Sequence, residues 1–343
     1  MEASAHVTMP TEAEQPRRIA ARKNASRRQR LGPVTLLAMP MSILCAVAVH
    51  LFVSNKEPAN EVRNYTIFLG LVFGAAVAAA MLQPFLTGLR KWMRNMSPIL
   101  AVVILLLTLW EIITAGVRLL PLPYFPSPAG VLQSLMSDRA LLFDSTWHSL
   151  VLLLTGYSLG VIAGVCSGIC IGWSSRVRYW GMPVLKVVGP IPATAWIPLA
   201  MVVSPSALFS AAALIALAVW FPVTMLTASG ISNTRASYLD VARTLGARPA
   251  YLVFRVAIPA AIPSIFIGLF MGLGASFLTL VVAESVGVKS GLGWYVSWAQ
   301  GWAEYGKVYA ALIIMAVFFS SVMTLLFKVR DRVLVWQKGL IKW

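Results

Sequence analysis

Eight long apolar runs, parted by short polar intervals, make up most of this 343-residue chain. Their edges lie near 33–53, 65–89, 98–118, 147–173, 183–203, 207–228, 257–284 and 307–328. A helix rises 1.5 Å per residue and needs about 20 apolar residues to cross the hydrocarbon of a bilayer. The pattern therefore predicts an all-α, polytopic membrane protein. One polar island interrupts it at residues 237–265, SYLDVARTLGARPAYLVFRVAIPAAIPSI. Ser237 followed by Asp240 reads as a capping box opening a short helix. Tyr238, Val241, Ala242 and Leu245 then share one face, opposite Asp240, Arg243 and Thr244. Gly246 is placed to end that helix in a left-handed C′ conformation. Pro249 suits the first turn of a second helix running to about Val256, and Pro259 and Pro263 open or kink the apolar run beyond. The island predicts a helix–turn–helix on the membrane surface that leads into the seventh run.

Composition agrees with the class. The chain is 59% hydrophobic and 12% charged, with net charge +16. Mean hydropathy is +0.78. A soluble globular domain is excluded on these figures. The charge has a place as well as a size. With the N-terminus inside, 22 of the 28 Lys and Arg residues fall in the two tails and in alternate loops on the cytoplasmic side. That asymmetry is the positive-inside signature, with both termini cytoplasmic and 237–259 on the same side. It accounts for the positive charge without nucleic acid. Residues 1–32 read as a basic cytoplasmic tail able to touch anionic lipid, and 331–343 as a second tail.

Inside the runs, five glycines stand at a spacing of four: Gly156, Gly160, Gly164, Gly168 and Gly172. They form one groove along a helix, for close packing within the chain or for a subunit or gating contact. Gly268 and Gly272 repeat the device. Pro190, Pro192 and Pro198 break the fifth run around Trp196, and such breaks are tolerated where freed backbone faces protein or a water-filled cavity. Pro192, Trp196 and Pro198, with Glu284, are thus candidates for lining a pathway. Glu284 and Glu111 are the main carboxylates within the runs; Glu111 needs a partner, sought among the Lys and Arg side chains. His50 and His148 lie near run ends and read as interfacial. Cys45, Cys166 and Cys170 read as small packing residues, and no metal site is expected. The chain has no G-x-x-x-x-G-K-[ST] loop and no hydrolase or metalloprotease motif, so no catalysis is expected.

Asp240-Val241-Ala242, then Gly246 four residues after Ala242, then Val256-x-Ile258-Pro259, resembles the EAA loop of permease subunits of ABC importers. That pattern is EAA, three residues, Gly, nine residues, I-x-L-P; the spacing matches at every element. Asp stands here for Glu and Val for the first Ala. Trp110-Glu111, the stretch from Phe125 to Val131, the stretch from Ile191 to Leu199, and Ala283-Glu284-Ser285 followed by Gly291-Leu292-Gly293 resemble the nitrate/sulfonate/taurine branch, over some two-thirds of the chain. Val202-Val203-Ser204-Pro205 departs from it, where the branch often carries Trp-Phe-Gly. The resemblance implies a permease core over 90–330, with two additional helices over 33–89. It further implies a bacterial inner-membrane location, a second permease copy, a cytoplasmic ATPase that binds ATP and Mg, and an external substrate-binding protein. No cofactor is implied in this chain. In the family the loop docks on the ATPase, giving that role to Asp240, Val241, Ala242, Arg243, Gly246, Val256, Ile258 and Pro259, and the branch's substrates are small anions. The competing classes are a stand-alone secondary transporter or channel, and a structural scaffold. The first would ordinarily show paired broken helices in two similar halves; the second leaves the Gly246 and Pro259 spacing unexplained.

Overall fold

The computed structural model describes residues 33–52, 59–83, 85–117 and 119–335. The basic tail predicted at 1–32, and 336–343 of the second tail, lie outside them. Contacts divide the chain into two compact units, 1–121 with 127–129, and 122–126 with 130–343.

The first unit holds helices α1 (Pro33–Phe52), α2 (Ala59–Leu82) and α3 (Thr87–Gly116), the last closing in a π-turn segment over Ile112–Gly116. α2 and α3 are long and apolar enough to cross a membrane, whereas the apolar part of α1, Leu37–Phe52, is shorter than 18 residues. Buried polar groups join the three. His50 Nδ1 lies 2.5 Å from Glu111 Oε1, and His50 Nε2 lies 3.0 Å from Thr66 Oγ1. Glu111 therefore has an imidazole as partner, supplied by the first apolar run, rather than a lysine or arginine. His50, 4% exposed, is interior and not interfacial.

The second unit contains α4 (Pro128–Ser137) from Gly130 on, α5 (Arg139–Trp173), α6 (Ser175–Val188), α7 (Ile197–Val203), α8 (Ala207–Ser232), α9 (Ala236–Thr244), α10 (Pro249–Gly287), α11 (Leu292–Gly301) and α12 (Tyr305–Val333). α5, α8, α10 and α12 pass as spans; with α2 and α3 that makes six among the described residues, or up to seven if one bent pair counts. The bent pair is the fifth apolar run. Ser175–Val188 and Ala193–Val203 meet at 83° where Pro190 and Pro192 interrupt the helix, so eight straight crossings are not what forms.

α8 is the centre of this unit. The glycine stripe of α5 lies against it, and its partners also recur every four residues. A Cβ built on Gly156 would stand 2.7 Å from Ile215, on Gly164 2.8 Å from Val223, on Gly168 2.6 Å from Thr227 and on Gly172 2.7 Å from Ile231. At Gly160 the obstacle is the Ala216 carbonyl at 2.6 Å. Backbones this close exclude any side chain, which is why the stripe is glycine. It faces α8 of its own chain, which answers the choice between intrachain packing and a subunit contact. Gly268 and Gly272 of α10 receive Val223 and Val219 from the other side of α8. Val219 and Val223, each 0% exposed, are thus clamped between two helices. The three cysteines are exposed, so they do not fill this core.

Candidate functional site

The polar island folds into an exposed groove at one end of α10. α9 opens two residues earlier than the capping-box reading predicts. Arg235 is the N-cap residue and makes no side-chain cap bond. Its backbone (φ −57°, ψ 128°) is the last extended position, which puts Ser237 inside the first turn, where its hydroxyl has no cap to make. Asp240 instead pairs with Arg243 Nη1 at 2.9 Å. The stop is as expected. Gly246 has φ +81°, Gly246 N–H donates to Arg243 O at 2.9 Å, and Ala247 N–H donates to Ala242 O at 3.0 Å. Those two bonds are a Schellman closure, and the positive φ is the reason glycine occupies the position.

Pro249 sits in the first turn of the next helix, with Arg248 as N-cap. The helix does not end at Val256. Residues Leu252–Ala257 take π geometry, Ile258 N–H bonds Val253 O, and the chain continues to Gly287 as one 39-residue span. The wide turn loosens the backbone just where Pro259 offers no N–H and its ring would press on a regular helix's carbonyl. Surface helix and membrane helix are in this way one continuous helix.

Between α9 and this helix lies a cavity of about 800 Å³, lined by Tyr238, Val241, Ala242, Leu245, Tyr251 and Phe254 among others. Tyr238, Val241, Leu245, Tyr251 and Phe254 are 52–81% exposed, an apolar patch that a single chain leaves uncovered. Val241, Ala242, Gly246 and Val256 line the groove; Asp240 and Arg243 form the ion pair on α9; Ile258 and Pro259 lie beyond it in α10. Reading the sequence alone leaves out Arg248, Tyr251, Phe254 and Arg255, which line the groove's other wall. Their signal was present in the aromatic spacing Tyr251-x-x-Phe254.

The four candidate pathway residues are not brought together. Pro192 lines a cavity of about 300 Å³ between the 188–194 bend, α8 and α10, with Thr194 and Thr279 as its hydroxyls. Trp196 and Pro198 lie outside that lining; the Trp196 indole Nε1 is buried and makes no hydrogen bond among the described residues. Glu284 is at the far end of α10, 1% exposed. Both its oxygens are engaged: Ser149 Oγ donates to Oε1 at 2.7 Å and Gly293 N–H to Oε2 at 2.8 Å. Ser149 in turn accepts from Leu292 N–H at 2.8 Å. The carboxylate thus caps the N-terminus of α11, and a Cβ on Gly291 would collide with it. Glu284 is not solvated. Nearby, Tyr295 donates to Asp138 Oδ2 at 2.8 Å, and Lys307 reaches Asp138 and Glu304 at 3.2 and 2.8 Å. Burial, and then the Asp138 carboxylate, push the Tyr295 phenol up, so it remains a donor.

These features define a multi-pass helical membrane protein with an exposed helix–turn–helix continuous with a span. Comparison with known proteins gives the family. Residues 156–335 match the model described as "Binding-protein-dependent transport system inner membrane component". The chain is 30% identical over 230 residues to the putative aliphatic sulfonates transport permease of Bacillus subtilis (66% of this chain, 81% of that one). It is 30% identical over 268 residues to the bicarbonate transport system permease of Synechococcus elongatus (73% and 92%). The fold is similar, at TM-score 0.50 and 15% identity, to a chain of the MetNI methionine ABC transporter in inward-facing conformations, over 57% of this chain and 98% of that one. The chain belongs to the binding-protein-dependent transport inner-membrane component family and is an ABC importer permease of the nitrate/sulfonate/taurine branch.

Proposed function

We propose that this chain forms, with a second copy of itself, the translocation pathway of an ATP-driven importer for a small anion, a sulfonate, taurine or nitrate. The observation that carries the reading is the α9–α10 groove. It is apolar, exposed, closed by a glycine that only a left-handed turn requires, and continuous with a membrane-crossing helix. A separate cytoplasmic ATPase, holding ATP and Mg, takes this helix–turn–helix into a groove of its own; hydrolysis is the partner's chemistry, and no residue of this chain takes part in it. Closure of two ATPases draws the two Asp240–Pro259 elements together. α10 carries that motion into the membrane, and a loaded external binding protein releases its ligand to the opened side. The bend around Pro192 and the cavity beside it support a place for this segment on the path. The anion is favoured by the sulfonate and bicarbonate substrates for which the two relatives are named. The groove faces the bacterial cytoplasm in this reading, on the side that the loop charges favour.

The test is gentle purification of the tagged chain from its native membrane, with identification of what accompanies it. Recovery of a nucleotide-binding ATPase, lost on Gly246→Val while the chain still inserts, is the expected result. Nothing lies within 4 Å of the position a Cβ would take at Gly246, so the variant acts through backbone strain of about 1–2 kcal/mol and not through a clash. Recovery of the chain alone, transporting in vesicles without ATP, overturns the reading. The co-purified operon partners identify a binding protein, and preference of that protein for a neutral heterocycle over sulfonate, taurine and nitrate overturns the anion assignment. For the pathway, Trp196→Ala with unaltered transport removes that residue from it.

A further inference from the structure

Glu284 was a candidate for touching the transported solute, but its geometry gives it another task. It is buried, both its oxygens are spent within the chain, and what they hold is the first turn of α11. Ser149 completes the hold from α5, bridging Glu284 and Leu292 N–H. The fit is close on both sides: a Cβ at Gly293 would press on Val281 O and Glu284 Cβ. α11 is therefore fastened to the last two turns of α10 by hydrogen bonds with no room for slack. The other end of α10 carries the groove wall at Arg248–Val256. Both belong to one helix that is continuous over 39 residues, Pro249–Gly287.

We propose that α10 is a strut between the coupling groove and α11, and that Glu284 is the positioning residue that hooks α11 to it, so that α11 moves whenever the groove does. α11 carries stacked Trp294 and Trp298, and exposed Trp302 follows its end. Movement of that aromatic surface reports the state of the ATPases to whatever docks on the opposite side of the membrane. The inference rests on the importer reading above, in which the helix–turn–helix around the groove docks on the ATPase. It explains why Ala283-Glu284-Ser285 and Gly291-Leu292-Gly293 occur together: one supplies the acceptor and the other supplies N–H groups without side chains in the way.

The experiment is hydrogen–deuterium exchange on the complex purified from native membrane with its ATPase, with and without Mg-ATP and vanadate. Expected in the wild type is a nucleotide-dependent change both over 238–256 and over 288–302. In Glu284→Ala, exchange over 288–302 rises about tenfold because Gly293 N–H loses its buried acceptor, and Ser149, which accepts from Leu292 N–H, loses the oxygen that orients it. The nucleotide-dependent change there disappears, while the change over 238–256 persists. Ser149→Ala, which removes only the bridging hydroxyl, gives the same result in smaller measure and serves if Glu284→Ala does not accumulate. A nucleotide response at 288–302 that survives both variants overturns the strut. So does loss of the response at 238–256 in Glu284→Ala, which would make the residue a general support of the fold. If no ATPase accompanies the wild-type chain, the importer reading fails first; if one does and 288–302 ignores nucleotide, the strut alone fails.

Discussion

Glu111 and His50 show how a buried carboxylate is made tolerable among apolar helices. Thr66 spends its own proton on Val62 O at 2.7 Å, so toward His50 Nε2 it can only accept. His50 thus carries a proton on Nε2, and one further proton lies between Nδ1 and Glu111 Oε1. Whichever atom holds it, the pair has no net charge. Removing one partner leaves a buried acid alone, which costs about 3–5 kcal/mol, whereas replacing both with apolar residues costs far less. The expectation for thermal unfolding of the full chain in detergent is a large loss for His50→Ala and a much smaller one for the double variant His50→Leu with Glu111→Leu. Equal losses would remove the pair from the packing of the first unit. The sequence raised the right question at Glu111 but pointed to the wrong kind of partner. His50 is 61 residues away on another run, and hydropathy does not say which runs become neighbours.

Elements were more legible, because helix periodicity and backbone chemistry are local. The turn at Gly246 and the start at Pro249 follow from conformations those residues prefer, and both are as expected. The glycine stripe announced a close approach, although only the structure names α8 as what approaches. Two features escaped. A capping box needs its serine to be the last extended residue, and the extended position falls at Arg235 instead. The π segment at Leu252–Ala257 fuses two helices that the prolines seemed to part. The stripe has a measurable consequence. Gly164→Ala drives a methyl to within 2.8 Å of the Val223 side chain, and α5 must back away from α8 along its length. Overpacking of this kind costs about 1–3 kcal/mol. Gly74→Ala, on a helix face with nothing within 4 Å, is neutral or mildly stabilising. A melting series in one detergent that ranks the two the other way would refute the packing account.

At the scale of the whole molecule, the arrangement requires that the coupling groove and the end of α11 lie on opposite sides of the membrane. One span, α10, separates Ala247 from Trp302, and α11, with ten residues, is too short to return the chain. Within this unit α5 and α8 run the same way, Gly156 against Ile215 and Gly172 against Ile231, and α10 runs opposite to α8, so Arg243 and Arg248 fall at the same end as Arg178, which caps the last turn of α5 through Ile171 O and Gly172 O at 3.1 and 2.6 Å. The loop charges assign that end to the cytoplasm. The check is reagent accessibility in oriented vesicles. Cys45, Cys166 and Cys170 are replaced, being exposed and reactive in their own right, and a single cysteine is placed at Ala247 or at Trp302. A membrane-impermeant thiol reagent is expected to label position 302 in right-side-out vesicles and position 247 only in inverted ones. Labelling of both from one side would break the span assignment of α10, and with it the strut. The reverse pattern would keep the helices and overturn the orientation, leaving the groove on the side where no cytoplasmic ATPase could reach it.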